Sequence, residues 1–503
     1  MPSRHGRGSV VTLHATGKRG RLNLALVALP ASCVWILDLA ILRGGTPHPL
    51  DDTWEYGLVA RSLLEGHGFR TLMIHPPLWA LRDAGLTVPV LVHGPLLSLL
   101  LAPWVALAGG ASIDSAAWLA ATFAVLAAVF TARAVARSVG GSTGALAAAL
   151  VTLSPVMLRM VHHDIAPAAG ACAVALVIDL LARPKPRPFA AGLVVGLGAL
   201  VRPELLLLVP IVWWLLGLPR NLSFAGAAAL VTAPWVIHTW IASGSPVFNL
   251  SSYMLIAYTP AHPGLSPLWD FALPLARWPA PVFQSLEALP GKWLHMAPRA
   301  IKHMLMTPGP GLGLFAAVGL LNVWTARATR RLGWAAIGAA LIPFIVCTLT
   351  EPSERYVAVF LPLWAAGAAW GVMSLGGGYG RTRQLAAVLL LALLPFTVRA
   401  WTIEARQASA LRGWLTHERA ELGSRSAVAF RGRLMYSDTP DFAAWTTHRP
   451  TVAMTLEGFN ALPDSAGATA APPMRPRDPL DQWFHADVRM LPAPAAGGAA
   501  RPL

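Results

Sequence analysis

The sequence predicts an all-α polytopic membrane protein with about eleven transmembrane helices, interfacial helices in its first outer loop and a small C-terminal extracytoplasmic appendage. Three observations carry this prediction. Only 13% of the 503 residues are charged and 55% are hydrophobic, whereas an average soluble domain is about 25% charged. Apolar runs near the roughly 20 residues that a helix needs to cross a bilayer recur along most of the chain. The basic residues behind the formal charge of +15 bunch in short connections between those runs, which is a topology signal and not the basic face of a nucleic-acid binder.

Taken in order, residues 1–21 are basic and polar and read as a cytoplasmic tail. The run 22–42 is too long for a signal-peptide core, and no small-x-small site follows it, so it reads as an uncleaved first span. Ala31-Ser32-Cys33 has Pro30 where a lipobox needs an aliphatic residue. Further spans are expected at 115–132, 143–158, 167–182, 189–201, 204–218, 222–241, 310–326, 333–350, 355–374 and 384–400, which makes 22–400 the transmembrane domain. The apolar run 93–109 contains Pro95 and Pro103. If it crossed, Arg133 and Arg137 would face outward. If it stays in the outer leaflet, every basic cluster falls inside: Arg4 to Arg21, Arg133/Arg137, Arg183/Lys185/Arg187, Arg220, Arg327/Arg330/Arg331 and Arg381/Arg383. The outer regions are then loops 43–114 and 242–309 and the C-terminal region 401–503. In that last region AVAF, RLMY and TVAM alternate like short strands between Ser426 and Met454, and the Pro/Ala/Gly-rich end reads as loose from about 472. Cys33, Cys172 and Cys347 lie in apolar runs and read as packing residues. No internal repeat, Walker loop or Rossmann glycine fingerprint is present, so a cytoplasmic nucleotide-sugar domain is not visible.

The chain is organised around Leu50 to Phe69. Tyr56, Val59, Ala60, Leu63 and Leu64 make one apolar stripe, and Gly66 and Gly68 end the helix. The pattern predicts an amphipathic helix lying in the interface, with Asp51 and Asp52 at its start. Local chemistry gives Asp52 a second reading: an N-cap, with Glu55 completing a capping box.

This stretch resembles the first extracytoplasmic loop of GT-C glycosyltransferases such as aminoarabinose transferases and protein O-mannosyltransferases. The resemblance lies in Asp52, Tyr56 four residues on, and then Ala60-Arg61-x-Leu63-Leu64-x-Gly66. The family often has Asp-Glu where this chain has Asp51-Asp52. The resemblance implies that Asp52 acts on the acceptor hydroxyl, with Tyr56 behind it, and that a second loop supplies another acid. That acid is Asp164 of His162-His163-Asp164. Three adjacent residues cannot all face one ion, so this trio is not read as a metal site; Asp164 also reads as an N-cap for the next helix. His93-Gly94-Pro95-Leu96 resembles the segment that opens the family's second interfacial helix, and His75-Pro76-Pro77-Leu78 is a weaker alternative. Arg202-Pro203-Glu204 interrupts an apolar stretch where the family often carries a cation, and Glu354-Arg355-Tyr356 with Pro362 resembles its R-Y-x5-P element. Arg202, Arg355 and Tyr356 would then meet a lipid phosphate. Arg202 has the alternative of pairing with Glu204, and Arg355 with Tyr356 that of an interfacial anchor. Tyr56, His93, His163 and Glu354 are further candidate substrate contacts. Lys292, His295, Arg299, Lys302 and His303 fall at helical spacings as a basic stripe, read first as facing anionic headgroups and alternatively as facing a substrate phosphate.

The activity expected from the resemblance is that of an inverting transferase. It would move a sugar from a polyprenyl-phosphate donor to an acceptor hydroxyl on a glycan, lipid or protein, at the extracytoplasmic face of the plasma (inner) membrane. The resemblance requires no cofactor and is compatible with a divalent metal, although no ligand set is apparent. The alternative is a transporter or lipid flippase, which predicts charges spread through the bundle and two related halves. The topology is testable by reporter fusions: one at Ser138 should report the cytoplasm and one at Gly423 the outside, and Ser138 outside would overturn the eleven-span scheme.

Overall fold

A computed structural model describes residues 25–42, 52–107, 115–246, 248–262, 266–268, 273, 275–309, 311–325, 330–376 and 379–429, with 433–437, 444–445, 450–453, 469–470 and 489–492 of the C-terminal region. The described residues are mostly helical: α1 (Ala25–Leu42), α2 (Thr53–Leu64), α3 (Leu96–Leu107), α4 (Ser115–Ser138), α5 (Gly141–Thr152), α6 (Pro155–His163), α7 (Ile165–Leu181), α8 (Pro188–Ala199), α9 (Leu208–Leu216), α10 (Arg220–Ser243), α11 (Ala280–Gln284), α12 (Leu289–Met306), α13 (Leu312–Thr325), α14 (Arg330–Leu349), α15 (Glu354–Gly376) and α16 (Tyr379–Ala429). Five of them are long and apolar enough to cross a membrane, or six if the bent pair α5–α6 counts as one. Helices overlap every expected run. Two runs are broken by proline, which disfavours helix in the residue before it and removes a donor. Pro155 restarts the chain as α6 after a 49° bend, and Pro203 opens a 3₁₀ turn (Pro203–Leu207) between α8 and α9.

Helix α7 measures the distance between two polar ends. Asp164 caps its start and Asp179 sits near its finish, about 22 Å apart at 1.5 Å per residue. At the far end Asp179 is fully buried and is held by Arg137 and by Arg133 and Arg183 at 3.5 Å. These arginines come from two of the expected cytoplasmic clusters. At the near end Asp38 of α1 meets His162 of α6 at 2.7 Å. The end of α1 therefore lies beside the start of α7, while the end of α4 lies at the Asp179 end. The segment between α1 and α4 begins and ends on one side. Helix α3, at twelve residues, is about 18 Å long, short of the roughly 30 Å of a bilayer core.

The helices approach closely because their contact faces are small. Alanines fill the buried faces of α4 and α7, and a Cβ at Gly319 of α13 would lie 1.9 Å from the Gly367 carbonyl of α15. Without a hydrophobic drive between helices in lipid, such close backbone packing is what associates them. An apolar groove of about 460 Å³ between α9 and α14, lined by Pro210, Ile211, Trp214, Trp334 and Ala335, shares no residue with the polar end.

The structure corrects three expectations. Helix α2 does not lie with one face in the interface: Thr53 to Ser62 are buried all round, while Leu64 is exposed. Its cover comes chiefly from α3, with the short strand Arg70–Thr71 of its own loop and Trp445 of the C-terminal region. Strand β1 (Arg70–Thr71) pairs with β3 (Val88–Pro89), and β2 (Met73–Ile74) runs parallel to β5 (Thr451–Ala453). Sheet order is β2-β5-β4-β7-β6, with β4 (Arg433–Ser437), β6 (Thr469–Ala470) and β7 (Arg489–Pro492). Arg61, expected off the apolar stripe, stacks on Trp445 at 3.6 Å and donates to its carbonyl. Secondly, of the expected strands RLMY and TVAM match β4 and β5, but Ala427 to Ala429 of AVAF continue α16, which runs through the expected boundary at 400. Thirdly, the end expected to be loose from 472 falls largely outside the described residues, yet 489–492 forms β7. The expected tail 1–21 and Asp51 also lie outside the described residues.

Candidate active site

The polar end is assembled from five places in the chain. Asp52 stands at the N-terminus of α2 with helical backbone (φ −54°, ψ −15°) and makes no side-chain capping bond. Its carboxylate faces outward from the helix instead: Arg355 Nη1 donates to Oδ2 at 3.2 Å, and His93 Nε2 stands 3.7 Å from Oδ1. Glu55 does not close a capping box either; its Oε2 is 3.2 Å from His93 Nε2. The ring of Tyr56 lies 4.9 Å from that of His93, and its buried hydroxyl has no hydrogen-bond partner among the described residues.

Two backbone contacts hold these pieces together. Thr53 Oγ1 accepts from the Ile165 N–H at 3.3 Å, which sets the start of α2 against the start of α7 and so brings Asp164 to the site. Gly94 lets the His93 loop reach the end of α8: a Cβ there would lie 2.2 Å from the Leu200 carbonyl, which accepts from the Leu96 N–H at 3.3 Å. Two residues past Leu200, in the break before Pro203, is Arg202.

The cap reading of Asp164 is seen on one oxygen, and the other is left unused by it. Oδ1 accepts from the Ala166 N–H at 2.9 Å as a helix cap; Oδ2 is buried with no hydrogen-bond partner among the described residues. Arg202 likewise makes the expected pair with Glu204 at 3.2 Å, yet its Nη2 is buried without a hydrogen-bond partner among the described residues. Its guanidinium lies 5.4 Å from the Tyr356 ring, and that of Arg355 lies 5.8 Å from the same ring. Arg355 also pairs with Glu351.

The electrostatics follow from this crowding. Burial pushes the Asp52 carboxyl up, but His93, Arg355 and Arg202 outweigh it and hold the group below the usual carboxylate range. Burial and then the Asp52 charge raise Asp164 to about 6, against the pull of Arg202. Burial lowers His93, but Asp52, Glu55 and Asp164 reverse this and leave it raised. Burial, with Asp164 and Asp52, holds the Tyr56 phenol well above its ordinary value, as a neutral donor. Two close carboxylates with separated pKa values can divide the roles of acceptor and reserve.

Of the candidates read from sequence, Asp52, Asp164, Arg202, Arg355, Tyr356, Tyr56 and His93 come together, and His75 is near enough to feel the charges of Glu55, His93 and Asp52. His163 and Glu354 do not. His163 pairs with Glu404 of α16 at 2.7 Å, and Glu354 pairs with Arg159 of α6. The trio 162–164 thus splits three ways. Glu55 and Glu351 are the site residues that sequence reasoning did not single out. Glu55 fits a capping pattern, and no spacing links it to His93. Among the described residues no group of three or more His, Cys, Asp or Glu is placed to hold a metal ion.

No family model and no curated protein matches the chain. Solved structures do. An archaeal oligosaccharyltransferase, AglB from Archaeoglobus fulgidus, in complex with an inhibitory peptide and a dolichol-phosphate, is similar with a TM-score of 0.58 at 13% identity, over 88% of this chain and 66% of that one. The same archaeal protein in complex with Zn and sulfate gives a TM-score of 0.52 at 13% identity, over 86% and 62%. ArnT from Cupriavidus metallidurans bound to undecaprenyl phosphate gives 0.54 at 13% identity, over 86% of each chain. At such identity the likeness is one of fold. The chain spans just under two thirds of the archaeal protein's length.

The capping question has a direct test. A lost N-cap typically costs about 1 kcal/mol, whereas Asp52 makes no cap bond. Asp52→Ala should therefore leave amide exchange across Trp54 to Leu58 at the wild-type rate; accelerated exchange confined to that first turn would restore the capping role.

Proposed function

We propose that this chain is an inverting glycosyltransferase that moves a sugar from a polyprenyl-phosphate donor to an acceptor hydroxyl at the outer face of a membrane. One observation carries the reading: two carboxylates with unequal proton affinities and two guanidiniums, drawn from four separate helix junctions, meet at one end of an apolar helical bundle. The fold likeness to proteins solved with dolichol-phosphate and undecaprenyl phosphate supports a lipid-phosphate donor. In this reading the chain crosses the membrane eleven times with its N-terminus in the cytoplasm. The arginine-ringed Asp179 is then cytoplasmic and the Asp52 end is outside. The C-terminal strands form a small outer appendage over α2.

The mechanism uses groups already in place. The donor phosphate is held by Arg202 and Arg355, which offer planar, paired donors to phosphate oxygens. A phosphate on Arg355 competes with Asp52 for the same guanidinium, so donor binding frees a carboxylate oxygen. Asp52 accepts the acceptor's hydroxyl proton as that oxygen attacks the anomeric carbon. The bond from that carbon to the phosphate oxygen breaks, and its electron pair leaves with the lipid phosphate. The phosphate gains a negative charge, which the two arginines meet. One displacement inverts the anomeric centre. Among the described residues Asp52 is turned to Arg355 and His93 and belongs to no group of three or more His, Cys, Asp or Glu placed to hold a metal ion; the fold likeness to a protein solved with Zn is compatible with a divalent metal. The transporter alternative asks for charges spread along a path; the buried ion pairs described here gather instead at two ends.

Membranes containing the protein, assayed with a panel of polyprenyl-phosphate sugars, should show transfer. Asp52→Asn should lower its rate about 10²–10⁴-fold, the usual loss of a general base, without lowering the membrane level of the protein. Arg202→Ala and Arg355→Ala should raise the donor KM and lower kcat, with lysine rescuing only in part. An Asp52→Asn protein with wild-type rates would overturn the assignment.

The pH dependence carries a sign. Asp164 has a raised folded pKa of about 6, so its contribution to stability is full below its unfolded value and is lost as pH rises through about 6. For activity the ionised form matters, because its charge makes Asp52 a better proton acceptor. Transfer should fall as pH drops through about 6, and Asp164→Asn should show no step there. A wild-type profile flat across that range would refute the role of Asp164.

A further inference from the structure

We infer that Lys292 is a positioning residue for the proposed phosphate site: its ammonium caps two helix ends at once and so fixes both partners of Asp52. The inference rests on the function proposed above. The sequence puts Lys292 in a basic stripe, but the structure divides that stripe. Lys292, Met296, Ala300 and Met304 form the buried face of α12, while His295, Arg299 and Lys302 are exposed. A lysine in the buried row brings its ammonium inside, where each proton needs an acceptor.

It finds three. Nζ donates to the carbonyls of Met254 at 2.6 Å, Leu255 at 3.1 Å and Leu349 at 2.7 Å. Met254 and Leu255 end the 3₁₀ turn Leu250–Leu255, and Leu349 is the last residue of α14. Carbonyls at a helix C-terminus lack intrahelical donors and carry the negative end of the dipole, so one cation suits both ends. Three acceptors use all three ammonium protons; a neutral amine would leave one unmet.

Each end leads to Asp52. Two residues past Leu349 is Glu351, which pairs with Arg355, and Arg355 reaches Asp52. On the other side, the Leu250 N–H donates to the Leu91 carbonyl at 2.8 Å and Ser251 Oγ donates to the Val92 carbonyl at 3.4 Å, immediately before His93. One ammonium thus connects the loop bearing His93 to the turn bearing Arg355. Burial draws the Lys292 pKa down to about 8, opposed by Glu351 from the α14–α15 turn. Glu351 itself pairs with Arg355, and its charge is also felt by Tyr258, Cys347 and Tyr356.

The test compares full-length wild-type protein, Lys292→Met and Lys292→Arg in nanodiscs. It reads amide exchange at 250–255 and 350–355 and affinity for polyprenyl phosphate alone. In Lys292→Met both segments should exchange about tenfold faster and affinity should fall about tenfold, the scale of one hydrogen bond to a charged group. Exchange in α4 and α7 should stay unchanged. Lys292→Arg should recover part of the affinity and hold it at pH 9, where the wild type, its lysine deprotonated, weakens; this arm stands even if Lys292→Met does not fold. Unchanged exchange would overturn the tie, and faster exchange with wild-type affinity would reduce Lys292 to a structural residue. Wild-type protein that binds no polyprenyl phosphate would overturn the function reading and this role with it, while the exchange rates would still show whether the tie exists.

Discussion

Asp52 and Arg355 are 303 residues apart in the chain and 3.2 Å apart in space. Their contact depends on a general constraint: charges placed at the end of an apolar bundle need partners, because an unpaired one costs several kcal/mol. The bundle meets that need with a network and not a single pair. Arg355 is shared by Asp52 and Glu351, Arg202 is held by Glu204, and His93 stands between Asp52 and Glu55. The members come from four places in the chain, and the contacts of Asp52 with Arg355 and of His93 with Asp52 and Glu55 tie three of those places together. The contact of Thr53 with Ile165, the close approach at Gly94 and the Lys292 cap are the uncharged and charged supports of the same arrangement.

The network is rich in acids. Five carboxylates, from Asp52, Glu55, Asp164, Glu204 and Glu351, surround two guanidiniums and one imidazole. A phosphate entering this site would meet an Arg355 already shared by two carboxylates and an Arg202 whose Nη2 has no hydrogen-bond partner among the described residues. In the proposed mechanism a phosphate on Arg355 displaces Asp52, the carboxylate assigned there to take the proton. The opposite end of α7 has the inverse composition, one buried acid among three arginines. Polarity along the bundle therefore changes sign over the length of a single helix, as the positive-inside distribution of the sequence requires.

Much of the fold is legible in the sequence. Runs of apolar residues at span length need no tertiary context, because in lipid every backbone group must be satisfied within its own helix. The break at Pro203 is legible in Arg202-Pro203-Glu204, whereas the 49° bend at Pro155 falls inside the run 143–158, which reads as one span. Helix α2 is less so: its stripe of Tyr56, Val59 and Ala60 exists, but the burial of Arg61 comes from Trp445, nearly four hundred residues away, and no local period carries that. AVAF alternates like a strand and continues as helix, because α16 runs on well past its apolar part and its register overrides a four-residue pattern. In the site, Asp52, Arg202 and Arg355 stand out through motif resemblance and through the cost of charge in an apolar run. His163 and Glu354 look equivalent to their neighbours Asp164 and Arg355, yet helical geometry turns adjacent residues about 100° apart, so His163 meets Glu404 of α16 and Glu354 meets Arg159 of α6. The role of Lys292 is hidden because a helical stripe of cations looks the same whether its first member points in or out.

The central claim is that Arg202 and Arg355 grip the phosphate of a polyprenyl-phosphate donor and that this frees Asp52. A structure of the protein in nanodiscs with polyprenyl phosphate bound tests it most directly. The account predicts phosphate oxygens within hydrogen-bond distance of both guanidiniums, with the Asp52–Arg355 contact opened and Asp52 facing the space beside the phosphate. A phosphate bound elsewhere, or one bound with the Asp52–Arg355 contact intact, would contradict it.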